Sequence, residues 1–173
     1  MRLMKNTFIT VFFALMFGCS QAEDYPTLAR QVRSQTTNQL EKEKNLFCVG
    51  TGGQMMGDIQ AMEIVFQYFH LVNLEESREL LVHAIRTFFK NINDNKELRP
   101  YLHNYPFTTK NIEIMIWILQ SDGNYPPQGS IEFIALKKNI LSYKLVQPAK
   151  FADWPILHEE TYEEALKVLA EKL

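Results

Sequence analysis

The sequence is poor in cysteine, and this scarcity excludes a fold held together by disulfide bonds. Only two cysteines occur among 173 residues, Cys19 and Cys48. Cys19 falls in a segment that we expect to be modified or removed, so Cys48 would be the single thiol of the mature chain and no internal disulfide could form. Its neighbours Phe47 and Val49 are apolar, and we expect Cys48 to be a small buried hydrophobic residue.

The sequence also lacks an excess of positive charge, which argues against a nucleic-acid partner. It has 18 basic and 20 acidic residues, and removal of residues 1–18 would leave 16 basic residues. The four histidines show no HExxH pair and no zinc-ligand spacing, and no serine lies in a GxSxG motif. We therefore expect no metal and no cofactor, and we assign no catalytic residue.

Glycine is scarce, but three of the seven glycines lie close together at positions 50, 52 and 53. A phosphate-binding loop would end in Gly-Lys-Ser/Thr, whereas Gln54 and Met55 follow here. A dinucleotide-binding loop would require glycine in place of Met55. The cluster is therefore predicted to be a tight turn between a short apolar run and a helix.

No apolar run approaches the ~20 residues that a membrane-spanning helix needs. The N-terminal run covers residues 7–18, follows Arg2 and Lys5, and precedes the small residues of Gly18–Ala22. A basic segment, a short apolar segment and small residues, in that order, are typical of a secretory signal peptide. We therefore expect an exported protein with a signal peptide at 1–18 and a tether at 19–26.

The segment Leu15–Cys19 resembles the lipobox of bacterial lipoprotein precursors, although Met16 and Phe17 depart from its usual residues. The resemblance implies cleavage before Cys19 and acyl chains on that residue, such as palmitate, which would anchor the chain to a membrane. With Ser20 next, it implies anchoring in the outer membrane, on the periplasmic side of the cell envelope. Ordinary cleavage after Ala22 is the alternative, and it would release a soluble periplasmic or secreted protein.

The remainder, 27–173, is predicted to form a single α+β domain, with helices on one face of a small three-stranded antiparallel meander and a C-terminal helix. Apolar spacing and caps place helices at 27–45, 55–72 and 74–92, and a last one from Thr161. Alternating apolar residues place strands at 111–120, 131–137 and 140–147. Beyond the signal, the chain resembles small exported α+β proteins of Gram-negative bacteria, and this resemblance implies no particular activity.

The loop at 93–110 contains the most distinctive stretch of the chain. It combines prolines with side chains that often anchor interfaces. We predict an interaction surface at five of its residues: Arg99, Tyr101, His103, Tyr105 and Phe107. The alternative is that its aromatic side chains pack on the sheet and that Arg99 serves as a structural hydrogen-bond donor.

The sequence leaves three functional hypotheses open. The leading one is a membrane-tethered binding or accessory lipoprotein of the cell envelope with an envelope protein partner and without catalytic activity. The second is an exported hydrolase or thiol-dependent enzyme that uses Cys48 and a histidine. The third is a carrier of a small ligand, bound between the sheet and the methionine-rich helix at 55–72.

Overall fold

The structure, a computed structural model, describes residues 24–149 and 152–171. These residues form three α-helices, six β-strands and a 3-10 turn at Arg99–Tyr101. The helices are α1 (Tyr25–Lys44), α2 (Leu74–Asp94) and α3 (Tyr162–Ala170). The strands are β1 (Phe47–Met55), β2 (Ile59–Tyr68), β3 (Ile112–Ile118), β4 (Ile131–Lys137), β5 (Ile140–Leu145) and β6 (Ile156–Thr161).

Local capping signals set the starts of all three helices. The Asp24 side chain accepts a hydrogen bond from the Thr27 amide at the start of α1. Asn73 with Glu76, and Thr161 with Glu164, form reciprocal capping boxes at the starts of α2 and α3. Each box provides partners for amides that the first helical turn leaves unpaired. The helices predicted at 27–45, at 74–92 and from Thr161 are present as α1, α2 and α3.

The six strands form one sheet in the order β1-β2-β3-β4-β5-β6. Strands β2 and β3 are parallel, and the other neighbouring pairs are antiparallel. A parallel pair needs a long crossover connection, and the segment containing α2 supplies it. The described residues therefore combine a β-α-β unit with hairpins on both sides of it.

The predicted three-stranded antiparallel meander is wrong, although the α+β class is present. The strands expected at 111–120, 131–137 and 140–147 exist as β3, β4 and β5. They form half of a larger mixed sheet, which β1 and β2 extend on one side and β6 on the other. Strand β6 lies directly before α3, in a region for which the sequence predicted no strand.

The largest error is the helix expected at 55–72, because these residues contain the last residue of β1, the tip of the β1–β2 hairpin and the whole of β2. In β2 the buried side chains of Met62, Ile64 and Phe66 alternate with half-buried residues, which is the period of a strand. The intervening residues include Val65, so apolar side chains point to both sides. That distribution resembles a helix buried all round when only the sequence is read.

The glycine cluster is part of edge strand β1, not a turn before a helix. Gly53 has a φ of 147°, and a Cβ atom built there would lie 2.4 Å from the carbonyl oxygen of Ala61. Only glycine fits this combination of positive φ and close backbone contact. The strand is irregular at both ends, with register shifts between Cys48 and Gly50 and between Gln54 and Met55.

The hydrophobic core lies between the helices and one face of the sheet. On α2, the apolar stripe of Leu81, Ile85, Phe88 and Ile92 is fully buried. The helices form a single layer, in which α1 packs on α2 and α2 packs on α3. We call the sheet face under this layer the helix side and the other face the open face.

Candidate functional site

The open face presents rows of side chains that run across the sheet. Residues directly opposite each other on neighbouring strands point to the same side. The register places Gln67 beside Phe47 of β1 and beside Trp117 of β3, and it pairs Trp117 with Phe133 of β4. A polar amide and three aromatic rings therefore form one row across four strands.

Three aromatic rings pack together at the centre of this face. The ring centroids of Trp117 and Phe133 are 5.0 Å apart, and Trp154 lies 5.3 Å from Phe133 and 6.3 Å from Trp117. The Trp154 indole donates a 2.7 Å hydrogen bond to the buried carboxylate of Glu132. This bond holds the segment before β6 against the open face, so the rings form a fixed platform.

A concavity of about 230 Å³ opens beside this platform. Its lining consists of Val49, Gln67, Trp117, Leu119 and Tyr125. Val49 is 53% exposed and Tyr125 is 71% exposed. We call these five residues the aromatic concavity, in which apolar walls surround one side-chain amide that can accept and donate hydrogen bonds.

The predicted interaction surface, which consists of five residues between Arg99 and Phe107, is partly packed into the fold. The Arg99 guanidinium donates hydrogen bonds of 3.2 and 3.0 Å to the carbonyl oxygen of Asn93 and lies 4.8 Å from the centre of the Tyr105 ring. Phe107 is buried in the hydrophobic core. These contacts match the alternative reading, in which Arg99 is a structural donor and aromatic side chains of the loop pack inward.

Of the other three residues of that surface, Tyr101 and His103 lie near the first turn of α1 and the tip of the β1–β2 hairpin, whereas the Tyr105 hydroxyl donates a 3.4 Å hydrogen bond to the carbonyl oxygen of Asn93, near the end of α2. The Tyr101 ring is 5.9 Å from the ring of Tyr25, and His103 Nδ1 is 2.6 Å from the Asp58 carboxylate. This contact with the imidazole lowers the pKa of Asp58. His103 and Tyr105 are exposed, and whether the surface binds a partner stays a prediction.

The prediction that Cys48 is buried is wrong. Its side chain is exposed on edge strand β1, with Sγ 3.6 Å from the carbonyl oxygen of Gly50. The histidines make contacts elsewhere: His83 with Glu43, His103 with Asp58, His158 with Tyr143 and Glu160, and His70 with Tyr68. These contacts do not favour the Cys48–histidine enzyme hypothesis.

A buried polar network, which sequence reasoning missed, ties α2 to the far strands of the sheet. The carboxylate of Glu160 accepts hydrogen bonds of 2.7 Å from Arg78 Nε and from the Tyr143 hydroxyl. Arg78 lies on α2, and Glu160 lies near the end of β6. Both are more than nine-tenths buried, since each neutralises the charge of the other.

The methionine-rich segment is sheet, not helix, so the predicted ligand pocket between the sheet and a helix at 55–72 does not form. Within residues 24–149 and 152–171, no group of three or more His, Cys, Asp or Glu residues is arranged to hold a metal ion. Over the same ranges, no helix combines the length and apolar character needed to cross a bilayer. The predicted signal peptide at 1–18, the predicted lipidation site Cys19 and the alternative cleavage site after Ala22 lie outside the described residues, so all three stay predictions.

Comparison with known proteins adds no relative. No protein-family model, no curated protein and no solved structure matches the chain.

Proposed function

We propose that this chain is a lipoprotein of the bacterial cell envelope, tethered through Cys19, whose folded domain binds a partner protein at the aromatic concavity. The observation that carries the binding role is an aromatic, partly exposed concavity on the sheet face opposite the helices. The tether follows from the signal-like N-terminus and the lipobox resemblance at Leu15–Cys19. Anchoring in the outer membrane, on its periplasmic side, belongs to the same proposal because Ser20 follows the cysteine.

The chemistry of the concavity favours a partner that inserts an apolar side chain. Trp and Tyr often anchor interfaces because they bury much apolar area with few rotatable bonds. Trp117 is already held by Phe133 and Trp154, so little side-chain entropy remains to be lost when a partner binds. The Gln67 amide can bind a backbone group next to the inserted side chain.

The lipid anchor can be tested separately from binding. The mature chain should begin at Cys19 and carry a mass increase from acyl chains, which mass spectrometry of the purified protein would detect. Cys19→Ala should move the protein from the membrane fraction to the soluble fraction. Cleavage after Ala22 predicts an unmodified N-terminus at Glu23, and finding that N-terminus would refute the tether.

The binding role can be tested with a photo-crosslinking residue in place of Val49. The matched control is Ile156, which is about equally exposed at 54% but lies on the opposite edge strand. We expect a crosslinker at position 49 to give one protein adduct and a crosslinker at position 156 to give none. The substitution Tyr125→Ala should abolish the adduct at position 49. The partner identified from the adduct should then bind the purified domain, and binding unaffected by Tyr125→Ala would contradict the proposal.

A further inference from the structure

We infer that one end of the domain is a membrane-contact surface, seated on the bilayer that holds the lipid anchor. This inference depends on the proposed tether. We call this region the tether end, and it consists of the first turn of α1, the tip of the β1–β2 hairpin and the loop after α2. Its residues are Tyr25, Met56, Gly57, Asp58, Tyr101, His103 and Tyr105.

Contacts between three separate segments define the tether end. The Tyr25 hydroxyl accepts a 3.2 Å hydrogen bond from the Gly57 amide at the hairpin tip. The Tyr25 ring also meets the Tyr101 ring, and Asp58 binds His103. The chain that leads back to Cys19 therefore leaves the domain beside the hairpin tip and the predicted interaction surface.

The tether is too short to let this end move far from the membrane. Only four residues stand between Cys19 and Asp24, and the five Cα–Cα steps that join these two residues span at most roughly 18 Å in a fully extended chain. Helix α1 alone, with 20 residues, is about 30 Å long. The tether end consequently remains next to the bilayer, while the far end of α1 and the start of β1 can lie well away from it.

The side chains at the tether end suit the interface between lipid and water. Met56 is 85% exposed at the hairpin tip, and Tyr105 is 51% exposed in the loop after α2, where its hydroxyl donates a hydrogen bond to Asn93 near the end of that helix. Tyrosine is enriched at membrane interfaces, where its ring meets lipid and its hydroxyl meets water. Methionine is a flexible apolar side chain that adapts to irregular surroundings.

Apolar contact, not charge, would hold this surface on the bilayer. The carboxylates of Asp24 and Asp58 do not favour an anionic membrane, and Asp58 is already bound to His103. A weak apolar contact is sufficient here, because a short tether raises the effective concentration of the two surfaces to the millimolar range. We therefore expect the contact to depend little on anionic lipid or on salt.

The tether end and the aromatic concavity lie at different ends of the sheet. The hairpin tip lies at the start of β2, whereas Gln67 and Trp117 of the aromatic concavity lie near the ends of the parallel strands β2 and β3. A distance of about 20 Å or more separates them along the strand, at ~3.3 Å per residue. With the tether end on the lipid, the concavity lies near the end of the sheet that is farther from the membrane.

Depth-dependent fluorescence quenching can test this inference on the lipidated protein. In a Cys48→Ser background, a single environment-sensitive label is attached through Met56→Cys or, as control, through Leu71→Cys. Leu71 is 48% exposed and follows β2, at the other end of the sheet. In vesicles of phosphatidylcholine and phosphatidylethanolamine containing brominated acyl chains, we expect roughly threefold or stronger quenching at position 56 than at position 71.

A second reporter removes the influence of the label at the tip. A label at Asn104→Cys should be quenched when Met56 and Tyr105 are native and lose most of that quenching in Met56→Ser, Tyr105→Ser. The quenching at both reporters should persist in 0.5 M salt, where charge attraction is screened.

The possible failures are distinguishable. If the protein floats with the vesicles and begins at the lipidated Cys19, but positions 56 and 71 are quenched equally, the membrane-contact surface is refuted and the tether stands. If the protein does not float and begins at Glu23, both the tether and this inference are overturned.

Discussion

At the scale of single residues, the ion pair between Arg78 and Glu160 is the least predictable and most consequential contact. A buried charge whose partner is removed costs about 3–5 kcal/mol. Glu160→Gln should therefore lower the free energy of unfolding by several kcal/mol, because Arg78 stays charged with only a neutral amide opposite it. Urea denaturation followed by circular dichroism measures this loss.

Glu159→Gln is the matched control for that experiment, since Glu159 is the neighbouring residue on β6 but is exposed. It should change the free energy of unfolding by less than ~0.5 kcal/mol. Equal shifts for Glu159→Gln and Glu160→Gln would contradict the stabilising role that we give to the buried pair.

Tyr143 provides a pH-dependent test of the same network. Burial raises the pKa of its hydroxyl far above the ordinary value, and the Glu160 carboxylate raises it further. In the unfolded chain Tyr143 loses its proton near pH 10, whereas in the folded chain it keeps it. Its contribution to stability is thus complete below about pH 10 and is lost as pH rises beyond that value.

Comparison with Tyr143→Phe isolates the contribution of Tyr143. Burial also raises the pKa of the half-buried Tyr162, but this residue is present in both the native protein and the variant, so its contribution cancels from the difference in stability. The stability difference between the native protein and Tyr143→Phe should be constant between pH 7 and 9 and shrink toward pH 11. Denaturant titrations across this range measure it. A difference that is independent of pH up to 11 would show that Tyr143 ionises equally in both states.

At the scale of elements, helix α2 depends on its N-terminal capping box as well as on its buried stripe. The Asn73 side chain accepts a 2.9 Å hydrogen bond from the Glu76 amide. Asn73→Ala should destabilise the protein by about 1 kcal/mol, because this amide loses its protein partner. Thermal or urea denaturation would report the change.

Asn38→Ala is a useful comparison, because Asn38 is exposed within α1. Asparagine is a poorer helix former than alanine, so this substitution should be neutral or stabilising by a few tenths of a kcal/mol. If both substitutions changed stability in the same direction and by the same amount, the capping explanation would be wrong.

At the scale of the whole molecule, the strands should differ in their resistance to opening. Strand β3 is central, with hydrogen-bonded neighbours on both sides and buried side chains at alternate positions. Strand β1 is an edge, contains three glycines and has mostly exposed side chains. Amide groups in weakly packed edges exchange through low-energy local opening.

Hydrogen exchange read by mass spectrometry can test this order. Peptides covering Ile112–Ile118 should exchange at least about tenfold more slowly than peptides covering Phe47–Met55. Peptides from β2, which lies between β1 and β3, should exchange about as slowly as those from β3. Uniform protection across the sheet would mean that β1 opens only with the whole domain.

The features that the sequence determined by itself are those encoded by nearby residues. The capping boxes, the four-residue and three-residue spacing on α2, and the apolar alternation of β3 each depend on residues within one element. The proposed tether also depends on nearby residues, the order of charge, apolar run and cysteine at the N-terminus, and it stays a prediction.

Only the tertiary structure decided that residues 47–68 form two strands and which of their side chains are buried or exposed. A strand must find its hydrogen-bond partners in other segments, and β2 finds one in β3, across the whole of α2. The pairing of Arg78 with Glu160 joins positions 82 residues apart. The aromatic concavity and the tether end are likewise built from distant segments, so no local pattern contains them.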